Sequence, residues 1–299
     1  MKVLVSGSTG LIGSALVRNL SDEGHIVKRL VRPSSGIEGD AILWDPGKGT
    51  VDCNGLEGHD AIVHLAGENI AGSSWTPKRK ALIRDSRIRG TELLCETLSR
   101  LTRPPAALVC ASAVGFYGNR GDELLREDSP PGEGFLSNVC REWEEVTAEI
   151  ARTTVRVVNL RIGMVLAADG GALAKMLPAF RAGAGGRIGS GEQYISWIAL
   201  PDLVGVIRHA LSTDSLVGPV NAVTPNPLTN REFTKLLGRI LKRPTVAVLP
   251  AFAARFLFGE MADELLLASS RVDPAKLLAS DYRFRLPEAE GALRFLLGR

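Results

Sequence analysis

Short apolar runs alternate with stretches of helical periodicity through the first two-thirds of the chain. The apolar runs, which we predict to be buried strands, span residues 2–6, 26–31, 60–65, 106–110, 155–160 and 219–222. The predicted helices span residues 77–100, 134–151, 171–181, 202–211 and a segment that Thr229 caps and that ends at Leu241. Regular alternation of strand and helix predicts a parallel sheet with helices on both faces.

Three glycines separate the first predicted strand from its helix. Gly7, Gly10 and Gly13 lie in this segment, and the apolar positions of the helix begin among them. Free amide groups at a helix start and the positive end of the helix dipole favour a bound phosphate, and glycine lets the backbone approach that ligand. The predicted cradle for a dinucleotide's diphosphate consists of Gly7, Ser8, Thr9, Gly10, Leu11, Ile12 and Gly13.

The alternation loosens beyond residue 161, and residues 245–299 are predicted to be mostly helical. We therefore predict an α/β fold, with a Rossmann-type doubly wound parallel sheet and a smaller, mostly helical C-terminal substrate lobe. The predicted cofactor-binding domain covers residues 1–165, and residues 198–222 return to it. Residues 166–197 and 223–299 form the smaller lobe.

Composition and charge narrow the class of protein. The net charge of the 299 residues is +3, and the basic residues are scattered among acidic ones without clustering, so we expect no nucleic-acid partner. The sequence contains no apolar run of membrane-spanning length and no export signal, so we expect a cytoplasmic protein that does not bind membranes. The four cysteines and four histidines lack the spacing of disulfide or metal motifs, so we expect reduced thiols and no metal.

The end of the second predicted strand distinguishes the two nicotinamide dinucleotides. An acidic residue there would bind the 2′-hydroxyl of NAD and would repel the 2′-phosphate of NADP. Residues 29–33 read Arg-Leu-Val-Arg-Pro and contain no acid. The planar guanidinium of Arg32 can pair with a phosphate, so we predict NADP(H) as the cofactor. The alternative for Arg32 is an ordinary solvated surface arginine.

Short motifs along nearly the whole chain have a specific order and spacing. They occupy residues 6–13, 44–46, 64–70, 86–91, 111–118, 159–163, 196–198 and 271–274. Together they resemble the extended short-chain dehydrogenase/reductase superfamily, and most closely its atypical epimerase-family branch, which has its own C-terminal domain. Relatives are often called nucleoside-diphosphate-sugar epimerases. The resemblance therefore implies an NADP(H)-binding protein with oxidoreductase or epimerase chemistry.

The resemblance also implies roles for residues that follow the predicted strands. The additional cofactor-binding residues are Leu65, Ala66, Gly67, Glu68, Arg161 and Gly163. The first three would line the adenosine ribose through backbone contacts, whereas Arg161 and Gly163 would lie near the nicotinamide. A structural salt bridge between the lobes is an equal alternative for Arg161.

The proton-transfer pair of the superfamily is missing. Its members use Tyr-x-x-x-Lys on one helix face, where the ammonium group lowers the pKa of the tyrosine. None of the three tyrosines in this chain has a lysine four residues later. The helix at 134–151 carries Val139 or Cys140 at the lysine position, depending on the register that is chosen.

Three alternatives remain for the chemistry. Tyr117, with Ser112 nearby, is a candidate catalytic residue, although we favour a tyrosine that only packs the cleft wall. Glu68 and Asn69 can orient a substrate or donate a proton. In the third alternative, the protein binds NADP(H) without turnover and acts as a regulator or redox sensor.

We expect a small-molecule substrate with an anionic group, or a nucleotide sugar. Phe180, Tyr194 and Trp197 can form aromatic walls, and Arg187 in the glycine-rich loop 183–191 can meet an anion. Because superfamily members often dimerise through the helices at 77–100 and 134–151, the resemblance also implies a homodimer.

Overall fold

An eight-stranded sheet forms the centre of the molecule. In the computed structural model, which describes residues 1–36 and 41–299, the strands are β1 (Lys2–Ser6), β2 (Ile26–Val31), β3 (Ala41–Asp45), β4 (Thr50–Val51), β5 (Ala61–His64), β6 (Ala107–Ala113), β7 (Leu124–Leu125), β8 (Arg156–Ile162), β9 (Met164–Leu166), β10 (Gly186–Ile188), β11 (Tyr194–Ile195), β12 (Trp197–Ala199), β13 (Gly218–Ala222), β14 (Leu228–Thr229), β15 (Ala247–Leu249) and β16 (Arg271–Val272). The strand order in the large sheet is β13-β8-β6-β5-β1-β2-β3-β4, and every pair except β3–β4 is parallel. The predicted doubly wound α/β fold is confirmed.

Ten α-helices surround or extend this sheet in the described part of the chain. They are α1 (Leu11–Asp22), α2 (Cys53–Leu56), α3 (Pro77–Leu98), α4 (Phe135–Val146), α5 (Gly171–Arg181), α6 (Leu200–Ser212), α7 (Asn230–Leu241), α8 (Ala251–Phe258), α9 (Ala275–Ala279) and α10 (Ala289–Leu297). Thr229 caps α7 as predicted, because its hydroxyl accepts a hydrogen bond from the amide of Glu232 and the Glu232 carboxylate reaches back to the Thr229 amide.

The alternation of side chains along the strands gives the sheet two apolar faces. On one face, Val3 and Val5 of β1 pack with α1 and α6. On the other face, Leu4 packs with residues of α3, including Leu94. Sequence reasoning missed β3 because its residues are buried alternately, with Ile42 inside and Leu43 exposed, so it lacks the continuous apolar run of an interior strand.

A separate apolar cluster forms the core of the smaller lobe. It combines side chains from α5, β12, α7 and α10, with Trp197 and Phe233 fully buried at its centre. The strand β13 pairs with β8 at the edge of the large sheet, and α6 packs against α1. The exact domain boundaries given above stay a prediction.

Asp202 ties the last part of the chain to α6. Its side chain is 1% exposed, and its two carboxylate oxygens accept hydrogen bonds from the amides of Arg285 at 2.7 Å and Leu286 at 2.9 Å. The carbonyl of Asp202 also accepts a hydrogen bond from the Tyr282 hydroxyl. One buried residue therefore anchors the segment that leads into α10.

We expect Asp202→Ala to destabilise the protein because both amides lose their acceptor. The free energy of unfolding should fall by about 2–4 kcal/mol, measured by urea denaturation. Asp214→Ala is the matched control, since the Asp214 side chain is fully exposed and lies 3.7 Å from Arg156. Equal stability of the two variants would contradict an anchoring role for Asp202.

Candidate functional site

The turn between β1 and α1, residues 7–13, is packed so closely that two of its glycines exclude any side chain. We refer to it as the glycine turn. Gly7 has a φ of 65°, and a Cβ there would lie 2.7 Å from the carbonyl of Leu65. A Cβ on Gly13 would overlap the carbonyl oxygen of Gly7, because the first turn of α1 rests on the loop. These glycines permit the close approach of strand, loop and helix that a diphosphate-binding turn needs.

Polar groups in the glycine turn are left for a ligand. Gly10 is the N-cap of α1 and provides no side chain to cap the helix, so amide groups of the first turn are available to an anion. Ser8 is 2% exposed, and its hydroxyl has no hydrogen-bond partner among the described residues. A buried hydroxyl without a partner is unfavourable unless a ligand or water completes it. Both features fit a phosphate group of a dinucleotide.

A buried network fixes the chain immediately after β5. The hydroxyl of Ser6 accepts hydrogen bonds from the amides of Leu65 at 3.1 Å and Ala66 at 3.3 Å, and it lies 2.7 Å from Nδ1 of His64. Since its lone pairs receive the two amides, the hydroxyl donates its own hydrogen to His64. Burial lowers the pKa of His64 to about 4, so the ring is neutral at pH 7. The network holds Leu65 and Ala66 beside the glycine turn.

Sequence reasoning did not identify this network. Ser6 and His64 are register partners across the parallel pair β1–β5, so a strand alignment would have shown the two polar residues side by side. Leu65 and Ala66 lie beside the glycine turn, and Gly67 follows them in the chain. The contact of these three residues with a cofactor stays a prediction.

The carboxylate of Glu68 is ion-paired in this structure. Its Oε2 accepts a hydrogen bond from Arg79 at 3.1 Å, and the same guanidinium donates to the carbonyl of Asn69. The amide of Glu68 donates to the hydroxyl of Ser86 at 3.1 Å. These contacts attach the loop after β5 to α3. The predicted role of Glu68 in cofactor binding or proton transfer is untested, and proton transfer requires the Arg79 pair to open.

Arg161 lies at the centre of a buried polar cluster. Its Nε and Nη2 donate to the two carboxylate oxygens of Glu144 at 2.9 and 2.8 Å, and the residue is 3% exposed. Its guanidinium carbon lies 3.5 Å from the ring centroid of Phe116. Burial is the largest single influence and opposes the charge, but the hydrogen bonds and charge of Glu144, together with the contribution of Tyr117, jointly outweigh it and raise the pKa of Arg161. This is the geometry of the structural salt bridge, and the contact with nicotinamide stays a prediction.

Both predicted catalytic residues contact this cluster. Tyr117 is fully buried, accepts a hydrogen bond from Arg161 at 2.9 Å and donates to Asn221 at 2.7 Å. Burial raises the pKa of Tyr117 to about 12. The hydroxyl of Ser112 donates to Glu144 at 2.6 Å. In this arrangement protein groups occupy both hydroxyls, which favours the interpretation that Tyr117 packs the wall of the cleft.

Helix α4 presents Cys140 near the end of β6. Burial raises the pKa of its thiol to about 12, and although the nearby Arg87 favours the thiolate, the thiol stays neutral at pH 7. The Arg87 guanidinium packs against the backbone of Gly67, where a Cβ would lie 3.3 Å from the guanidinium carbon. Arg87 belongs to a motif that carried the resemblance, yet sequence reasoning gave it no role.

Two further predicted cofactor residues follow strands. Arg32 is exposed directly after β2, where it precedes the 3-10 turn Pro33–Ser35. Gly163 lies between β8 and β9, and a Cβ on it would lie 2.6 Å from the carbonyl oxygen of Ser196 and 2.7 Å from Val223. Close packing therefore requires Gly163 to be glycine. The cofactor contacts of both residues stay predictions.

The expected aromatic wall is wrong for two of its three residues. Phe180 and Trp197 fill the core of the smaller lobe, because both face the cluster of α5, β12, α7 and α10. Tyr194 is half-buried, with the Arg271 guanidinium carbon 5.2 Å from its ring centroid. Arg187 donates to the carbonyl of Ser190 in its own loop.

The smaller lobe covers the space next to the glycine turn. A Cβ on Gly170 would lie 2.7 Å from the side chain of Leu11, and the Lys175 ammonium donates to the carbonyl of Ala71 at 2.9 Å. The cleft is the space bounded by the glycine turn, the ends of β5 and β6, α3 and this cover.

No cluster of three or more metal-ligating side chains occurs in residues 1–36 and 41–299. Among the described helices, none has the length and apolar character needed to cross a bilayer.

Comparison with known proteins assigns the two parts of the chain. The sequence model of the NAD dependent epimerase/dehydratase family matches residues 3–222, and a domain of unknown function matches residues 249–296. An epimerase family protein of Mycobacterium bovis is 43% identical over 282 residues, which are 94% of this chain and 93% of that protein.

Two solved structures show the same fold. The human epimerase family protein SDR39U1, crystallised with NADPH, is 36% identical with a TM-score of 0.91, and the match covers 100% of both chains. A nucleoside-diphosphate sugar epimerase from Corynebacterium glutamicum is 37% identical with a TM-score of 0.81, over 100% of this chain and 58% of that one. The resemblance predicted from the motifs is confirmed: this chain belongs to the NAD dependent epimerase/dehydratase family.

Proposed function

We propose that the protein binds NADP(H), with the cofactor's diphosphate at the glycine turn. The observation that carries this proposal is a turn that excludes side chains and leaves both helix amides and a buried Ser8 hydroxyl for a ligand. The NADPH complex of the human relative supports the choice of NADPH. The exposed Arg32 after β2 is suited to bind the 2′-phosphate.

The strand order suggests how the cofactor runs across the sheet. The crevice lies beside β1, where connections leave toward β2 on one side and toward β5 and β6 on the other. With Arg32 at the end of β2, the adenine half lies over β2. The chain after β5 then lies beside the adenosine ribose and the diphosphate. The nicotinamide lies beyond them, over the end of β6, which makes the cleft the place of reaction.

We infer that the bound cofactor exchanges hydride with an organic substrate in the cleft. The cofactor supplies the hydride, and the chain's own residues orient the reactants and exclude water. Because protein groups engage both Tyr117 and Ser112, the proton comes from another donor or from water. The name of the Corynebacterium glutamicum relative supports nucleotide sugars as the first substrate class to test.

A second function is an NADP(H)-binding regulator or redox sensor without turnover. The same occupied hydroxyls favour it, since the described cleft lacks the proton donor that the superfamily uses. The cytoplasmic location and the homodimer also stay predictions.

Substituting Gly13 should weaken cofactor binding. The added methyl group of Gly13→Ala overlaps the Gly7 carbonyl and forces the glycine turn open, so NADPH affinity should fall at least ~10-fold by fluorescence titration. Gly291→Ala is the control, because a Cβ at this position in α10 meets no atom within 4 Å. Unchanged NADPH affinity in Gly13→Ala would refute the proposed site.

NADPH should also bind more tightly than NADH, and Arg32→Met should reduce that preference.

Turnover distinguishes the two functions. We expect an enzyme to oxidise NADPH with at least one compound of a carbonyl panel, or to interconvert UDP-glucose and UDP-galactose. A regulator should bind NADPH and leave the whole panel unchanged. The measurements are NADPH absorbance at 340 nm for the carbonyl panel and chromatographic separation of the two nucleotide sugars for the interconversion, which consumes no cofactor. Gly13→Ala is the control for reaction outside the glycine turn.

Burial of Tyr117 should make stability depend on alkaline pH. Its folded-state pKa is raised, so its stabilising contribution is complete below the ordinary tyrosine value near 10 and is lost between about pH 10 and 12. The free energy of unfolding should fall less over this interval in Tyr117→Phe than in the natural protein. A tyrosine that instead ionises below pH 9, seen by absorbance at 295 nm and absent from Tyr117→Phe, would support Tyr117 as the acid.

A further inference from the structure

Arg87 is a half-buried cation without a carboxylate partner. No Asp or Glu oxygen of the described residues lies within 4.0 Å of its guanidinium, whereas Arg79 and Arg161 both have such partners. The only hydrogen bond of the Arg87 side chain to the described protein runs from Nη1 to the carbonyl of Ile83, one turn earlier on α3, at 2.9 Å.

The surroundings of Arg87 place it in the cleft. On one side, its guanidinium packs against the backbone of Gly67, after β5. On another side, it lies 5.2 Å from the ring centroid of Trp143 on α4, and its charge reaches Cys140. Arg87 therefore lies between the chain that follows β5 and the part of α4 near the end of β6, where the proposed cofactor path places the nicotinamide half.

An arginine in such a position needs a negative partner. Desolvation lowers the pKa of Arg87, because burial disfavours the charged guanidinium. Among the carboxylates of the described chain, only Glu68 raises the pKa of Arg87, and that carboxylate is held by Arg79 at 3.1 Å. A partly buried charge without a counter-ion is destabilising, so a site that retains one is suited to bind an anion.

We propose that Arg87 binds the nicotinamide half of NADP(H), donating to its phosphate and to the adjoining ribose. The proposal rests on the proposed function, since it requires NADP(H) in the cleft. Arg87 thereby supplies, from α3, the positive charge that the missing lysine of α4 would supply. Its planar group presents several donors in a fixed fork and suits a phosphate better than an ammonium group does.

Comparison of two ligands distinguishes a contact with the nicotinamide half from general damage to the binding site. The affinities of Arg87→Met, Arg87→Lys and Arg89→Met are measured for NADPH and for adenosine 2′,5′-bisphosphate, which lacks the nicotinamide half. Arg87→Met should weaken NADPH at least ~10-fold and leave the bisphosphate within about 2-fold. Arg87→Lys should recover part of the loss. Arg89→Met is the matched control, since Arg89 is on the same helix, 64% exposed and paired with Asp85.

The stability of the ligand-free protein gives an independent readout. Removal of an unpaired, half-buried charge should leave the thermal midpoint of Arg87→Met unchanged or raise it, and only the shift caused by NADPH should shrink. A structural arginine would instead lower the ligand-free midpoint.

Three outcomes would overturn the proposal. They are natural NADPH affinity in Arg87→Met, an equal loss for both ligands, and a loss in Arg89→Met as large as in Arg87→Met. If Arg87→Met does not fold, natural NADPH affinity in Arg87→Gln overturns it instead. Failure of the natural protein to bind NADPH would overturn the proposed function as well, so the two failures are distinguishable.

Discussion

The contact between the glycine turn and the end of β5 is the constraint on which the site depends. Gly7 can approach Leu65 only without a Cβ, and α1 can rest on Gly7 only because residue 13 is also glycine. The Ser6–His64 network holds the other side of this contact, since it fixes the amides of Leu65 and Ala66. The buried histidine in this network is neutral, so it holds the Ser6 hydroxyl in place without adding a charge beneath the glycine turn.

In the cluster around Arg161, the residues that were predicted to take part in proton transfer bind other residues of the protein. A tyrosine after β6, a serine at its end and an acid on α4 are all present, yet they bind one another. The tyrosine pKa moves upward because burial outweighs the neighbouring guanidinium. In a lysine-activated tyrosine the positive charge dominates instead. The pKa of such a tyrosine thus depends on how deeply its hydroxyl is buried, and not only on whether a cation is near.

Local patterns predicted the fold and the glycine turn, because strand runs, glycine spacing and caps act over a few residues. Thr229 and the α1 turn are examples. Strand β3 was missed because buried and exposed residues alternate along it. A strand near the edge of a sheet lacks the continuous apolar run of an interior strand. The partners of Glu144, Arg161 and Tyr117 lie on different elements, so their pairing depends on the tertiary structure. Phe180 and Trp197 were misplaced because an aromatic residue suits a cleft wall and a core equally well.

Arg87 and Arg161 show what a sequence leaves open about buried cations. Both arginines lie near the end of β6, and nothing in their neighbouring residues distinguishes them. The Glu144 carboxylate already neutralises the charge of Arg161, so contact with Arg161 would add little to the binding free energy of an anionic ligand. Arg87 has a single carbonyl as acceptor, and the carboxylate closest in influence is already paired. Arg87 lacks a negatively charged partner in the described protein, so an anionic ligand can neutralise its charge. By this criterion the binding residue lies on α3, away from the helix where the superfamily pattern would place it.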